Sequence, residues 1–274
     1  MNVGLIGCGA IGRTLARAIV DGKAGEINLV AICDIDRDRV EGLYKLLNRT
    51  SIFKSTSPEQ MITRRKVKFV IEAASQMAVE EVAEKVLNAG KNLMIMSVGA
   101  LKDGVLLQKL RRLATEKQVR IYLPSGAICG LDGVKGASVE EITCAEIIST
   151  KNPKSLEGAP YLVENDIRLE GLTEPRVLFE GSANDAARGF PKNVNVAVAL
   201  SLAGIGVEKT RVKVVADPNA TRTQHEIRVQ GDFGDLYVVV RNFLHPENPK
   251  TSYLAALSAI RTLRKLTEPI QIGT

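Results

Sequence analysis

Gly7-Cys8-Gly9-Ala10-Ile11-Gly12 is the stretch whose residue types and spacing point most directly to chemistry. Three glycines at this spacing, after an apolar run and before a helical one, form a turn that a diphosphate can approach. Gly7 permits the tight turn. Gly9 leaves out the Cβ that would hold a pyrophosphate off, and Gly12 lets helix and strand pack closely. Ala10 and Ile11 open the helix, whose N-terminal N–H groups and partial positive charge favour an anion. About 20 residues on, Asp34 ends a second apolar run, where a carboxylate suits a ribose 2′-hydroxyl. Together these features predict NAD or NADP. Asp34 repels a 2′-phosphate, whereas Arg37 could accept one, so both nucleotides stay open. Two further strings, Glu72-Ala73-Ala74-Ser75 and Ser97-Val98-Gly99-Ala100, end apolar runs with small residues. Ala74 and Ser75 are read as cofactor contacts, beside the plainer reading that they only turn the chain.

Hydride transfer also needs a proton acceptor and groups for substrate anions. The chain has 2 histidines, His225 entering a strand and His245 beside Pro246. By residue type alone either is more often a surface or structural group than a catalyst, so catalysis by His225 stays open at this point. Pro191-Lys192-Asn193-Val194-Asn195 opens an apolar helix, and one asparagine is expected to cap it. Two carboxamides beside a lysine could also hold a nicotinamide amide and a carboxylate. Lys192, Lys151 and Arg222, with Asn193, are substrate candidates on charge and position only. None of the 4 cysteines lies at metal-ligand spacing, and no metal site is expected. Cys8 and Cys33 read as small apolar fillers, and reduced thiols fit a cytoplasmic protein.

The elements that must position these groups alternate. Residues 2–8, 27–34, 68–74, 93–98 and 119–123 read as buried strands. Helical periodicity runs over about 10–20, 37–48, 78–89 and 106–117 between them. Strand–helix alternation predicts a doubly wound parallel sheet. After Pro124 the rhythm changes to a Gly-rich loop over 125–133 and strand-like segments at 139–150, 177–180, 207–216, 224–230 and 234–242. Helices are expected near 183–188 and 194–204, and a last one over 248–264 capped by Thr251 or Ser252. Residues 152–175, polar and with three prolines, read as a mobile surface excursion.

Bulk composition narrows the partners. With 274 residues, 45% hydrophobic and 25% charged, the chain can bury a core. The +6 formal charge is interleaved with acids, so a solvated surface that meets anionic small molecules is favoured over nucleic acid. No apolar run spans a membrane, and Met1 opens directly into a strand without a leader pattern.

The strings Pro124-Ser125-Gly126-Ala127-Ile128-Cys129-Gly130-Leu131-Asp132, Phe190-Pro191-Lys192-Asn193-Val194-Asn195-Val196-Ala197 and Glu247-Asn248-Pro249-Lys250-Thr251-Ser252 are far more specific than the glycine motif. With Phe179-Glu180-Gly181-Ser182, Val215-Ala216-Asp217 and His225-Glu226 in order, the chain resembles the L-aspartate dehydrogenase family over nearly its whole length. The resemblance implies NAD(P)-dependent oxidation of L-aspartate to iminoaspartate, which hydrolyses to oxaloacetate and ammonia or feeds quinolinate and NAD synthesis. It also implies His225 as the catalytic histidine, with Ala127 and Asn195 as further cofactor contacts and the nicotinamide directed to His225. His245 has no counterpart. Cys129 stands where glycine is usual, and the 152–175 excursion is longer than in compact members.

The expected architecture is therefore α/β: a doubly wound parallel (Rossmann) sheet from residues 1–124 and 248–274, and a second α+β domain on a mixed sheet from 125–247. The second domain is expected to carry His225 and the contact of a homodimer. Two rivals remain. One is another Rossmann dehydrogenase of the homoserine, semialdehyde or dihydrodipicolinate type, with Cys129 the thiol that a semialdehyde mechanism would use. The other is an NAD(H) sensor without turnover.

Overall fold

The computed structural model describes residues 1–191 and 194–273. They form two compact units, Met1–Pro124 with Ala256–Gln271, and Ser125–Ala255 with the tail from Ile272. Residues 248–255 thus cluster with the second unit.

The first unit runs β1 (Asn2–Ile6), α1 (Ala10–Val20), β2 (Asn28–Cys33), α2 (Arg37–Leu47), β3 (Phe53–Ser55), α3 (Pro58–Ile62), β4 (Phe69–Glu72), α4 (Gln76–Asn88), β5 (Asn92–Ile95), α5 (Gly104–Glu116) and β6 (Ile121–Tyr122). A 3-10 turn at Val98–Lys102 precedes α5. The sheet is parallel throughout, in the order β3-β2-β1-β4-β5-β6. Every residue of β4 is buried, as a strand covered on both faces requires. Helix α1 buries Leu15, Ala16, Ala18 and Ile19, and Leu15, Ala16 and Ile19 join Leu5, Leu43, Phe69 and Ile71 in one core. Each leucine, isoleucine or phenylalanine among them contributes about 1.5–3 kcal/mol through burial. Two helix N-termini carry aspartate caps: Asp36 accepts from the Asp38 and Arg39 N–H groups, and Asp103 from Val105 and Leu106. The strand β3 and helix α3 escaped the sequence reading because they span only three and five residues.

The second unit runs α6 (Leu131–Ala137), β7 (Ile142–Lys151), α7 (Pro160–Glu164), β8 (Arg176–Ser182), α8 (Ala183–Gly189), α9 (Asn195–Ala203), β9 (Arg211–Ala216), β10 (Thr223–Gly231), β11 (Gly234–Asn242), β12 (Leu244–His245) and β13 (Asn248–Ser252). Its larger sheet is mixed, in the order β11-β10-β7-β9-β8, with β7 and β9 parallel and the other pairs antiparallel. One face is covered: α9 lies on β7 and α8 on β9. Burial alternates accordingly, with Ala145, Ile147, Val212, Val214, Ile227 and Val229 inside.

Three expectations are corrected. The last helix, α10 (Tyr253–Lys265), starts five residues after 248, because Asn248–Ser252 pairs with β12 as a strand. The Gly-rich loop already enters α6 at Leu131. The excursion at 152–175 contains α7, buries Leu156 and Leu162 and sets the Tyr161 ring against Phe179 and Phe190, so it packs on the rest of the second unit.

Candidate active site

In the first unit the glycine loop joins β1 to α1. Gly7 has φ +100°, and a Cβ there would meet the Ala73 carbonyl oxygen at 2.5 Å, so glycine is required. A Cβ on Gly12 would meet the Gly7 carbonyl oxygen at 1.9 Å, so α1 packs hard against the turn. Gly9 differs. Its φ of −74° is open to any residue, and a Cβ would touch nothing within 4 Å. Neither strain nor crowding explains that glycine, but keeping space clear for a diphosphate does. Gly9 is the N-cap of α1, with no side-chain cap and no acidic residue in the first turn, which suits an anion.

Asp34 stands beside this loop and is almost fully buried. Its Oδ2 accepts from the Cys8 N–H at 2.7 Å and its Oδ1 from the Asp36 N–H at 3.0 Å. Each carboxylate oxygen offers about two acceptor directions, so capacity remains for ribose hydroxyls. Arg37 is exposed at the first position of α2. The Ala74 N–H donates to Glu72, and Ser75 caps α4 by accepting from the Ala78 N–H at 3.2 Å. Ser75 thus has the plainer capping role at least. Burial first, then the Asp34 carboxylate, pushes the Cys8 and Cys33 thiols up to about 12, so both are inert fillers. Gly7, Gly9, Gly12 and Asp34 together fit NAD(P).

The second unit contains a different kind of site. The covered face of its sheet is apolar along Ala145, Ile147, Ile227 and Val229 and then turns polar at one end. There Ser149 and Lys151 of β7 and Thr223 and His225 of β10 are all buried. Strand register puts His225 directly opposite Ser149, and Ser149 Oγ lies 2.9 Å from His225 Nδ1. Ser149 and Lys151 line a small cavity with Phe190, Ala197, Val212 and Val214. Burial, reinforced by the charge of Lys151, lowers the His225 imidazole to about 3, so it is neutral at pH 7. Burial likewise lowers the Lys151 ammonium to about 8. Polar side chains on a covered face cost free energy relative to apolar ones, which marks the cluster as a functional candidate.

Of the predicted residues, the structure brings Lys151 to His225. Arg222 instead lies exposed, its guanidinium 4.2 Å from the Phe243 ring centre. Asn195 is the first residue of α9, and Val194 precedes it as the N-cap without a side-chain bond, so Asn195 is not the asparagine cap. Lys192 and Asn193 lie outside the described residues. Ala127 is buried, and its carbonyl accepts from Asn242 Nδ2 at 2.8 Å. Ser149 and Asn242 were missed. Each is a polar residue at an inward position of a strand, a signal visible only once the register is known. His245 is buried and accepts from the Glu247 N–H at 3.1 Å, a turn contact. Partial burial, then Asp132, raises the Cys129 thiol, which weakens it as a nucleophile. Among the described residues no group of three or more metal-ligating side chains converges, and no helix is long and apolar enough to cross a membrane.

Comparison with known proteins follows the same division. Residues 7–124 match the family model described as homoserine dehydrogenase, NAD binding domain. Residues 132–266 match that described as aspartate dehydrogenase, C-terminal. The chain is 47% identical over 276 residues to the L-aspartate dehydrogenase of Methanosarcina barkeri, covering 100% of both. It is 40% identical over 274 residues to that of Methanocaldococcus jannaschii, again covering 100% of both. The crystal structure of aspartate dehydrogenase from Thermotoga maritima matches with a TM-score of 0.76 at 28% identity, over 100% of this chain and 99% of that one. Identity at this level, sustained from end to end, joins both units to one family: the chain belongs to the L-aspartate dehydrogenases.

Proposed function

We propose that this protein oxidises L-aspartate to iminoaspartate with NAD(P)⁺, the imine hydrolysing to oxaloacetate and ammonia. The observation that carries this reading is the buried Ser149–His225–Lys151 cluster in a chain of this family. Bound NAD(P)⁺ supplies the hydride acceptor. Gly7, Gly9, Gly12, Asp34, Ala74 and Ser75, with Ala10, Ile11 and Arg37 beside them, would hold its adenosine and diphosphate. Ala127 and Asn195 are assigned to its nicotinamide half by family resemblance.

The reaction requires a proton acceptor for the substrate ammonium and a group that activates water against the imine. A neutral His225 suits both tasks. With the Ser149 hydroxyl accepting from Nδ1–H, Nε2 keeps the lone pair that takes the proton. Lys151 is assigned to a substrate carboxylate, whose negative charge favours the ammonium form that burial opposes. Lys192, Asn193 and Arg222 remain further substrate candidates. A thiol-based semialdehyde chemistry is disfavoured by the raised Cys129 thiol.

The reading extends to a cytoplasmic homodimer that binds no nucleic acid and supplies iminoaspartate for quinolinate and NAD synthesis. Exposed Tyr237, Val239 and Phe243 support a partner surface on the second unit. A monomer mass by light scattering would remove the dimer. Absorbance at 340 nm, with L-aspartate in one direction and oxaloacetate plus ammonia in the other, tests the activity. NADH binding without turnover in either direction would leave a nucleotide sensor.

A further inference from the structure

Glu72 is the last residue of β4 and is fully buried, in a strand otherwise made of Phe69, Val70 and Ile71. An apolar residue would fill this place at lower cost in desolvation. Four donors act on the carboxylate, the Ser75 N–H among them. Oε1 accepts from the Ala74 N–H at 2.8 Å and from the Ser97 hydroxyl at 2.9 Å, and Oε2 accepts from the Ser97 N–H at 3.0 Å. Its backbone continues the sheet: the Ala73 N–H donates to the Ile6 carbonyl and the Met96 N–H to the Glu72 carbonyl. Beyond those bonds the carboxylate links the segment after β4, at Ala74, to the segment after β5, at Ser97. The Ala73–Ala74 peptide it holds is also the surface on which the Gly7 turn rests, within 2.5–2.7 Å of where a Cβ on Gly7 would be. Burial raises the Glu72 carboxyl, and the hydrogen bonds from Ser97, Ala74 and Ser75 pull the other way.

We infer that Glu72 is a positioning residue for the cofactor, tying the ends of β1, β4 and β5 into one rigid edge and so setting NAD(P) affinity. The edge lies at the switch point where the strand order reverses, the place at which such sheets take a dinucleotide. The inference rests on the reading that this unit binds NAD(P).

Glu72→Gln keeps the volume but turns an amide NH₂ toward an N–H donor, so one bond becomes a clash of two donors. Titrating the full chain with NADH, followed by its own fluorescence, should show affinity weakened about tenfold in Glu72→Gln. Ser97→Ala removes one donor and leaves the backbone bonds, so a loss of about threefold is expected. In both variants kcat at saturating cofactor and the KM for L-aspartate should stay within about twofold of wild type, a split that a merely structural role would not produce. Should Glu72→Gln fail to fold, Ser97→Ala decides alone. Unchanged NADH affinity with a lowered melting temperature would overturn the inference, as would a fall in kcat at saturating cofactor with affinity intact. Because the NADH titration needs no turnover, a wild-type chain that binds NADH but leaves L-aspartate untouched would sink the substrate reading and leave this one standing.

Discussion

The glycine edge of the first unit and the buried cluster of the second solve opposite problems. The first binds by leaving atoms out. Gly7 and Gly12 permit close backbone contact, Gly9 keeps space open, and Asp34 brings a carboxylate to the loop. The second acts by burying side chains that would be more stable in water: Ser149, Lys151 and His225 sit on a face otherwise lined by Val212, Val214 and Ile227. A backbone cradle keeps its properties across pH. A buried titratable cluster does not, since the balance between its charged and neutral forms is what burial has altered. Affinity for cofactor and rate of chemistry should therefore separate cleanly under mutation.

The largest effect is expected at the second region. His225→Ala should lower turnover about 10²–10⁴-fold. The NADH dissociation constant should stay near wild type, since the glycine loop is untouched. Equal turnover in the variant would move proton handling elsewhere. Lys151→Met keeps the length of the side chain and removes its charge. We expect kcat/KM for L-aspartate to fall about 10²-fold with NADH affinity retained, the scale of a lost charge-assisted hydrogen bond. A variant with normal KM for L-aspartate would free Lys151 from the substrate role.

At the first region Gly9→Ala and Gly12→Ala sharpen the same comparison. The added methyl of Gly9→Ala meets nothing within 4 Å, so the melting temperature should hold while NADH affinity falls about tenfold or more. Gly12→Ala places its methyl 1.9 Å from the Gly7 carbonyl oxygen, so it should lower the melting temperature whether or not cofactor is present. If Gly9→Ala bound NADH normally, the open space beside Gly9 would not be the diphosphate site.

These two regions were unequally legible. The glycine spacing, Asp34 and the parallel alternation could be read because they are local: six consecutive residues and one strand length define them. The His225 cluster is not local. Ser149 and His225 lie 76 residues apart and meet only through the register of β7 on β10. Residue types alone left His225 undecided, and family resemblance singled it out. Ser149 and Asn242 carried no signal, because a single serine or asparagine in a strand reads as solvent-facing until its neighbours fix which face is covered. The boundary of the last helix was misplaced for a related reason. Residues 248–252 lack any strong strand pattern, and pairing with Leu244–His245 decides their conformation.

The smallest effect, and the most specific to the cluster, is a slope in stability against pH. His225 titrates near 6.5 in an unfolded chain and near 3 in the fold, because burial and Lys151 both disfavour the imidazolium. Between those values the unfolded chain binds one proton that the native chain refuses. Unfolding free energy must then rise with pH, by about 1.4 kcal/mol per unit for this one group. Stability from this source is complete above 6.5 and drains away as pH falls toward 3. Lys151 stays protonated in both states over that window, so it adds no slope of its own. His225→Gln keeps an acceptor near Ser149 and removes the proton. Urea unfolding between pH 4 and 6 should therefore give a slope shallower by one proton in the variant, while carboxylate contributions cancel in the difference. Parallel slopes would mean that His225 charges freely in the native protein, and the contrast between a pH-blind cradle and a pH-sensitive cluster would fail at its central residue.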